Sequence, residues 1–225
     1  MKRSEINQKI RETEAFIKEH GFHLPPFCNW TPEDWKEKGE ECREIVDNML
    51  GWDITDYGLG DFDHIGLTLV TIRNGNQNNP KYTKPYAEKL LISEEDQICP
   101  MHFHWSKMED IINRGGGILM MELYNSTENE ELDTVNDVIV VSDGVKLKIP
   151  AGTVLEMTPG QSVTLTPGLY HRFWAKKGCG KVLIGEVSKC NDDNNDNRFL
   201  EPIGRFPTIE EDEPAYRLLC NEYPL

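Results

Sequence analysis

From Ile65 onward the chain is a succession of short β-branched and apolar runs broken by turn residues: GLTLVTIRNG, PYAEKLLIS, GILMMELYNS, DVIVVSDGVKLKI, GQSVTLTPG and GKVLIGEVS. Runs of this length and composition form strands rather than helices. Between DVIVV and VKLKI, Asp143-Gly144 supplies two residues that tolerate the positive φ of a type I′ turn, so the flanking strands pair antiparallel. Many short strands at fairly regular spacing predict a sandwich or barrel, whose closure removes exposed edges. Ahead of them, Ile6, Ile10, Thr13 and Ile17 recur at helical spacing between Ser4 and His20. Thr31, Pro32, Glu33 and Asp34 mark the start of a second helix, with a cap, a proline at the first helical position and acids at the positive end of the dipole. A third helix is expected over Cys42 to Leu50. The chain of 225 residues, 38% hydrophobic, is long enough for one sizeable core. We expect a single mainly β domain: a mainly helical extension over 1–64, a β-barrel core over 65–190 and a C-terminal wrap over 191–225.

With 39 acidic and 24 basic residues the formal charge is -15, a field that repels phosphate backbones and anionic lipid surfaces and argues against nucleic acid or membrane partners. A small neutral ligand such as a free sugar is indifferent to that field. The six cysteines lack a CxxC pair, so neither a thiolate zinc site nor a disulfide framework is indicated. The N-terminal twenty residues are polar throughout, unlike a signal peptide, and no apolar run is long enough to span a bilayer, so a cytoplasmic protein is expected. The polar segment NDDNNDN, 191–197, reads as a surface loop, Gly115 to Gly117 as a flexible inter-strand turn, and the acidic run Glu210 to Glu213 as a solvated face.

The chemistry concentrates in CPMHFHWSKME. His102 and His104 are two residues apart, so on a strand both imidazoles face the same side. Glu109 follows after a turn at Ser106 and Lys107, and His171 comes from a distant strand after Pro167-Gly168. Three imidazoles and a carboxylate form a mixed N/O donor set suited to first-row divalent ions such as manganese, iron, nickel or zinc. Alone, His171 reads as a hydrogen-bonded rim histidine and Glu109 as a surface carboxylate; two imidazoles on one buried face are costly without a shared partner. His20, His23 and His64 have no such partner in the sequence.

HxHxxxxE followed by Gly116 and, much later, PGxxH resembles the two-part metal signature of the cupin superfamily, with Asp96 and Ala175 departing from its usual glycine and asparagine. Over its whole length the chain is similar to the D-lyxose isomerase family: the segments NQKIRETEAFIKEHGFHLPPFCNWTPEDW, PMHFHWSKMEDIINRGGG, TPGLYHRFWA, GEVSKCNDDNNDNRF and GRFPTIEEDEP carry the resemblance. It implies a cupin jelly-roll (double-stranded β-helix) barrel and one divalent metal per chain on His102, His104, Glu109 and His171. The metal would be manganese first, with cobalt, iron, nickel or zinc as alternatives. It also implies a homodimer that interconverts D-lyxose and D-xylulose, with some activity on D-mannose and D-fructose.

Moving a proton between C2 and C1 of a sugar requires a general base beside the metal ligands. Glu201, in RFLEP, and Glu186, in IGEVS, both fit, and the resemblance favours Glu201 as the catalytic carboxylate. Lys107, within the family-like WSKME, is the second catalytic candidate and could approach a sugar oxygen. Tyr170, Phe173, Glu186 and Arg198 are the expected substrate-binding residues, with Arg205 a weaker one, and Trp105 should face away from the histidines. Two other readings share the ligands: an iron-dependent cupin dioxygenase, and a cupin that binds sugar without turning it over.

Overall fold

A computed structural model describes residues 1–224. The long N-terminal helix α1 (Arg3–Glu19) is followed by two short helices, α2 (Pro32–Lys36) and α3 (Arg43–Asp47). Thr31 caps α2 by accepting from the Asp34 amide at 3.1 Å, while the Asp34 carboxylate accepts from the Thr31 amide at 2.8 Å, closing a reciprocal box. The expected third helix is shorter than 42–50, because Glu40–Cys42 is a tight 3-10 turn and the helix stops at Asp47.

The β-strands are β1 (Gly51–Thr55), β2 (Leu67–Arg73), β3 (Tyr86–Ser93), β4 (Cys99–Phe103), β5 (Glu109–Gly116), β6 (Leu119–Ser126), β7 (Leu132–Asp133), β8 (Val138–Ser142), β9 (Val145–Ile149), β10 (Thr153–Met157), β11 (Ser162–Leu165), β12 (Leu169–Ala175), β13 (Val182–Lys189) and β14 (Arg198–Phe199). They form an antiparallel sheet of eight strands, in the order β1-β2-β3-β13-β5-β11-β8-β9, and a second of six, β10-β6-β12-β4-β14 with β7 beside β6. Leu67, Leu91, Ile111, Met121, Phe173 and Ile184 are among the side chains of the two sheets that meet in one core. The Asp143-Gly144 hairpin forms between β8 and β9, with φ of 49° and 82°.

One face of α1 buries Ile6, Ile10, Thr13 and Ile17, as its periodicity implies, and packs on Trp52, Ile54, Val70 and Leu90. This explains why β2 is buried on both faces from Leu67 to Ile72: α1 covers its outer face and the barrel core its inner one. The helix is held by the C-terminal wrap. Arg3, 2% exposed, pairs with Glu211 and Glu222, Asp212 accepts from the Ser4 amide at 2.9 Å, and Asn7 donates to Glu213 at 2.6 Å. The acidic run is therefore more than a solvated face: it faces water on one side and fastens α1 on the other.

Three expectations change. Residues 1–64 include β1, which forms an edge of the larger sheet and supplies a side chain to its inner face. The segment Gly115–Gly117 is no flexible turn: β5 runs to Gly116, whose φ of 86° and close approach to the Lys181 carbonyl leave no room for a Cβ. Finally, the NDDNNDN loop folds inward, as described below.

Candidate active site

β4 and β12 pair so that His102 lies directly opposite His171, while His104 just beyond β4 shares the face of His102. All three rings are fixed from behind. The Nδ1 of His102 donates to the Pro100 carbonyl at 2.7 Å, that of His104 to the Asp196 carbonyl at 2.7 Å, and that of His171 to the Leu169 carbonyl at 3.0 Å. A carbonyl can only accept, so each Nδ1 carries a proton and each ring turns its Nε2 inward. Burial, with the His171 and His104 rings beside it, holds His102 well below the usual imidazole range and keeps it uncharged.

The three histidines present ligand atoms within 4.8 Å of one another. Glu109 enters the same space from β5, its Oε1 lying 3.2 Å from His104 Nε2 and 3.3 Å from His171 Nε2. Nε2 lone pairs and a carboxylate oxygen this close repel one another unless a proton or a metal cation lies among them. The donor set therefore fits a divalent metal, and its N/O composition fits a first-row ion.

Beside Glu109 lies a buried ionic network. Lys107, 3% exposed, forms an ion pair with Glu109 Oε2 at 2.7 Å and donates to Glu186 Oε1 at 3.0 Å and Asn191 Oδ1 at 3.1 Å, so its ammonium is surrounded by three acceptors. Burial alone would pull its pKa down, but the carboxylates of Glu109 and Glu186 reverse the shift and leave it raised. Glu109 is likewise pushed up by burial and brought well below the usual carboxylate range by Lys107 and His104. Both partners are charged. On β13, Glu186 faces the cavity directly opposite Lys89 of β3; its Oε1 also accepts from the Ser188 hydroxyl at 3.0 Å, whereas its Oε2 has only Lys89 at 3.8 Å.

Residues 191–197 close this network from the other side. Asp193 pairs with Lys89 and with Arg205, each at 3.2 Å, and these two cations outweigh the effect of burial to hold its carboxyl below the usual range. Asp196 accepts from the Ser106 amide at 2.9 Å, the Ser106 hydroxyl at 2.8 Å and the Lys107 amide at 2.9 Å, so it shapes the turn between His104 and Glu109. On β1, Asp53 receives Arg205 at 3.3 Å; burial raises its pKa, partly offset by Arg205.

The metal-ligand candidates His102, His104, Glu109 and His171, with Lys107, Glu186 and Phe173, line one cavity whose apolar wall includes Leu69, Leu91 and Ile111. Tyr170 points the other way along β12, fully buried, its hydroxyl donating to the Glu130 carbonyl at 2.6 Å. Arg198 donates to Glu130 Oε2 at 3.0 Å and lies off the cavity. Glu201 is exposed and does not line it either. Trp105 faces outward, 47% exposed, as its alternation implies. Asp53, Lys89, Ser188, Asp193 and Asp196 went unnoticed in sequence. A charge at an inward position of an otherwise apolar strand, as in YAEKLLIS, was the signal available for Lys89.

Comparison with known proteins places this chain in a family. The chain is 50% identical over 224 residues to a D-lyxose/D-mannose isomerase of Escherichia coli O157:H7, covering 99% of this chain and 98% of the relative. It is 48% identical, with the same coverage, to a D-lyxose/D-mannose isomerase of Serratia proteamaculans. The L-ribose isomerase of Acinetobacter sp. DL28, solved in complex with L-ribose, shares the fold with a TM-score of 0.60 at 14% identity, over 92% of this chain and 98% of that one. A sequence profile of the D-lyxose isomerases matches residues 1–223, and the chain belongs to that family of sugar aldose-ketose isomerases.

Proposed function

We propose that the protein is a metal-dependent isomerase interconverting D-lyxose with D-xylulose, and D-mannose with D-fructose, by proton transfer between C2 and C1. The observation that supports this most is the convergence of His102, His104 and His171, with Glu109 against His104 and His171, next to a buried carboxylate, Glu186, in the same cavity. The substrates follow from the relatives at 50% and 48% identity, both named D-lyxose/D-mannose isomerases. A divalent cation held by those four residues, manganese on the family resemblance, would supply electrostatic stabilisation for the negative charge that develops on the sugar oxygens.

The chain's own groups divide the remaining work. Glu186 is the general base: Lys107 and Ser188 anchor its Oε1, leaving Oε2 to take the proton from C2 and deliver it to C1 through an enediol. Glu201, exposed and off the cavity, is replaced in that role. The Lys107 ammonium is committed to Glu109, Glu186 and Asn191, so it acts by holding Glu186 in place. Phe173 and the aliphatic wall keep water away from the reacting carbons and offer an apolar surface to sugar C–H bonds. A cytoplasmic homodimer accords with the family resemblance, with six unpaired cysteines and with the exposed Ile139, Val145 and Val154.

The test is to offer D-lyxose and D-mannose to purified protein and measure both ketose formation and oxygen uptake. Ketose without oxygen consumption is the expected outcome. Oxygen consumption would favour a dioxygenase, and sugar binding without ketose a non-catalytic cupin.

A further inference from the structure

Asp53 is the anomaly in this cavity. Its side chain is 4% exposed and lines the cavity, yet Oδ1 has no hydrogen-bond partner, and among the described residues it is the one buried side-chain oxygen or nitrogen in that condition. Neighbouring donors are committed elsewhere. Arg205 spends Nη1 on Asn194 at 2.8 Å and Nη2 on Asp53 Oδ2 and Asp193, Lys89 is held by Asp193 and Glu186, and the Thr55 hydroxyl donates to the Arg205 carbonyl. A buried acceptor left unpaired is unfavourable, and natural structures retain one mainly where a ligand or water completes it.

Its place in the sheet says which part of a ligand it meets. Asp53 of β1 lies opposite Leu69 of β2, which lies opposite Leu91 of β3, which lies opposite Ile184 of β13. Asp53 thus shares the inner face with Glu186 but stands three strands away around the curl of the sheet. The sugar's C1 and C2 belong at Glu186 and the histidines, so the other end of the molecule extends toward Asp53. We propose, resting on the functional reading above, that Asp53 Oδ1 accepts a hydrogen bond from the sugar hydroxyl most remote from C1, making Asp53 a specificity-determining residue. Leu69 and Leu91, between the two ends, face the carbon chain, and Arg205, itself paired with Asp193, fixes the Asp53 carboxylate through Oδ2.

The experiment compares D-lyxose with 5-deoxy-D-lyxose, which lacks that hydroxyl, in the metal-loaded wild type, Asp53→Ala and Asp53→Asn. Wild type is expected to prefer D-lyxose in kcat/KM by about 10- to 100-fold, the range for a hydrogen bond to a charged group. Asp53→Ala should lose that preference, falling on D-lyxose mostly through KM while matching wild type on the deoxy sugar, and Asp53→Asn, which keeps an acceptor of similar shape, should lie between. Equal losses on both sugars in both variants, or an unchanged preference, would overturn the assignment and leave the functional reading intact. Should Asp53→Ala fail to fold, the sugar preference of Asp53→Asn decides in the same way. Absence of ketose from the wild type with metal bound would overturn the functional reading, and this proposal with it.

Discussion

Replacing Glu186 by Gln is the sharpest perturbation of the proposed chemistry, because the structure separates its chemical effect from its structural one. The amide is nearly isosteric. Lys107 keeps Glu109 at 2.7 Å and Asn191 at 3.1 Å, and Lys89 keeps Asp193 at 3.2 Å, so neither cation is stranded. The Ser188 hydroxyl retains an acceptor at the position of Oε1. What disappears is the basic oxygen facing the cavity. A positioned general base contributes about 10²- to 10⁴-fold, so kcat should fall by that factor, roughly 3–5 kcal/mol of barrier. KM and metal content should change little. The assay is D-xylulose formation, run beside exchange of the C2 hydrogen in deuterated water. Glu201→Gln, changing an exposed carboxylate, should stay within about twofold, as surface substitutions usually do. A Glu186→Gln enzyme that retains kcat and exchange, with a Glu201→Gln enzyme that loses both, would refute the assignment and restore Glu201.

Three further outcomes follow from the same geometry. His171→Ala should abolish stoichiometric metal binding, read by elemental analysis, and ketose formation with it, because its ring completes the Nε2 cluster. Asp196→Ala removes three acceptor contacts from the Ser106-Lys107 turn and should lower stability by about 2–4 kcal/mol, a Tm decrease of roughly 5–15 °C by calorimetry. Burial, reinforced by Glu14, pushes the Cys28 thiol up to about 12. The folded chain therefore keeps this proton where the unfolded chain, with an ordinary thiol, releases it. Its contribution is complete below the unfolded pKa and is lost as pH rises from there toward 12. Between pH 8 and 10 urea denaturation should show a loss of about 1 kcal/mol that is missing in Cys28→Ala; an identical pH dependence in the two proteins would contradict the shift.

The sequence disclosed the parts of this molecule that depend on local periodicity. The α1 stripe, the Thr31 cap, the Asp143-Gly144 hairpin and the shared face of His102 and His104 are set by residues within one or two turns of each other. The candidate ligand set was legible because HxHxxxxE and PGxxH are compact motifs. Long-range closure was not legible. NDDNNDN has the composition of a solvated loop, yet Asp193 is drawn inward by Lys89 and Arg205, cations separated from it by 104 and 12 residues. Without those partners the same carboxylate would face water. The choice between Glu201 and Glu186 depends on the same kind of long-range contact: only the pairing of β13 with β3 and β5 shows that Glu186 looks inward. β1 escaped notice because it is a five-residue strand among helical segments, identified by its pairing with β2 more than by its own pattern.

The central claim, that these ligands hold a metal on which isomerisation depends, is tested most directly by titrating manganese into metal-stripped protein at saturating D-lyxose and following ketose formation against bound metal. The rate should rise in proportion to occupancy and level off at one ion per chain. A rate independent of occupancy, or no ketose with the site filled, would contradict it.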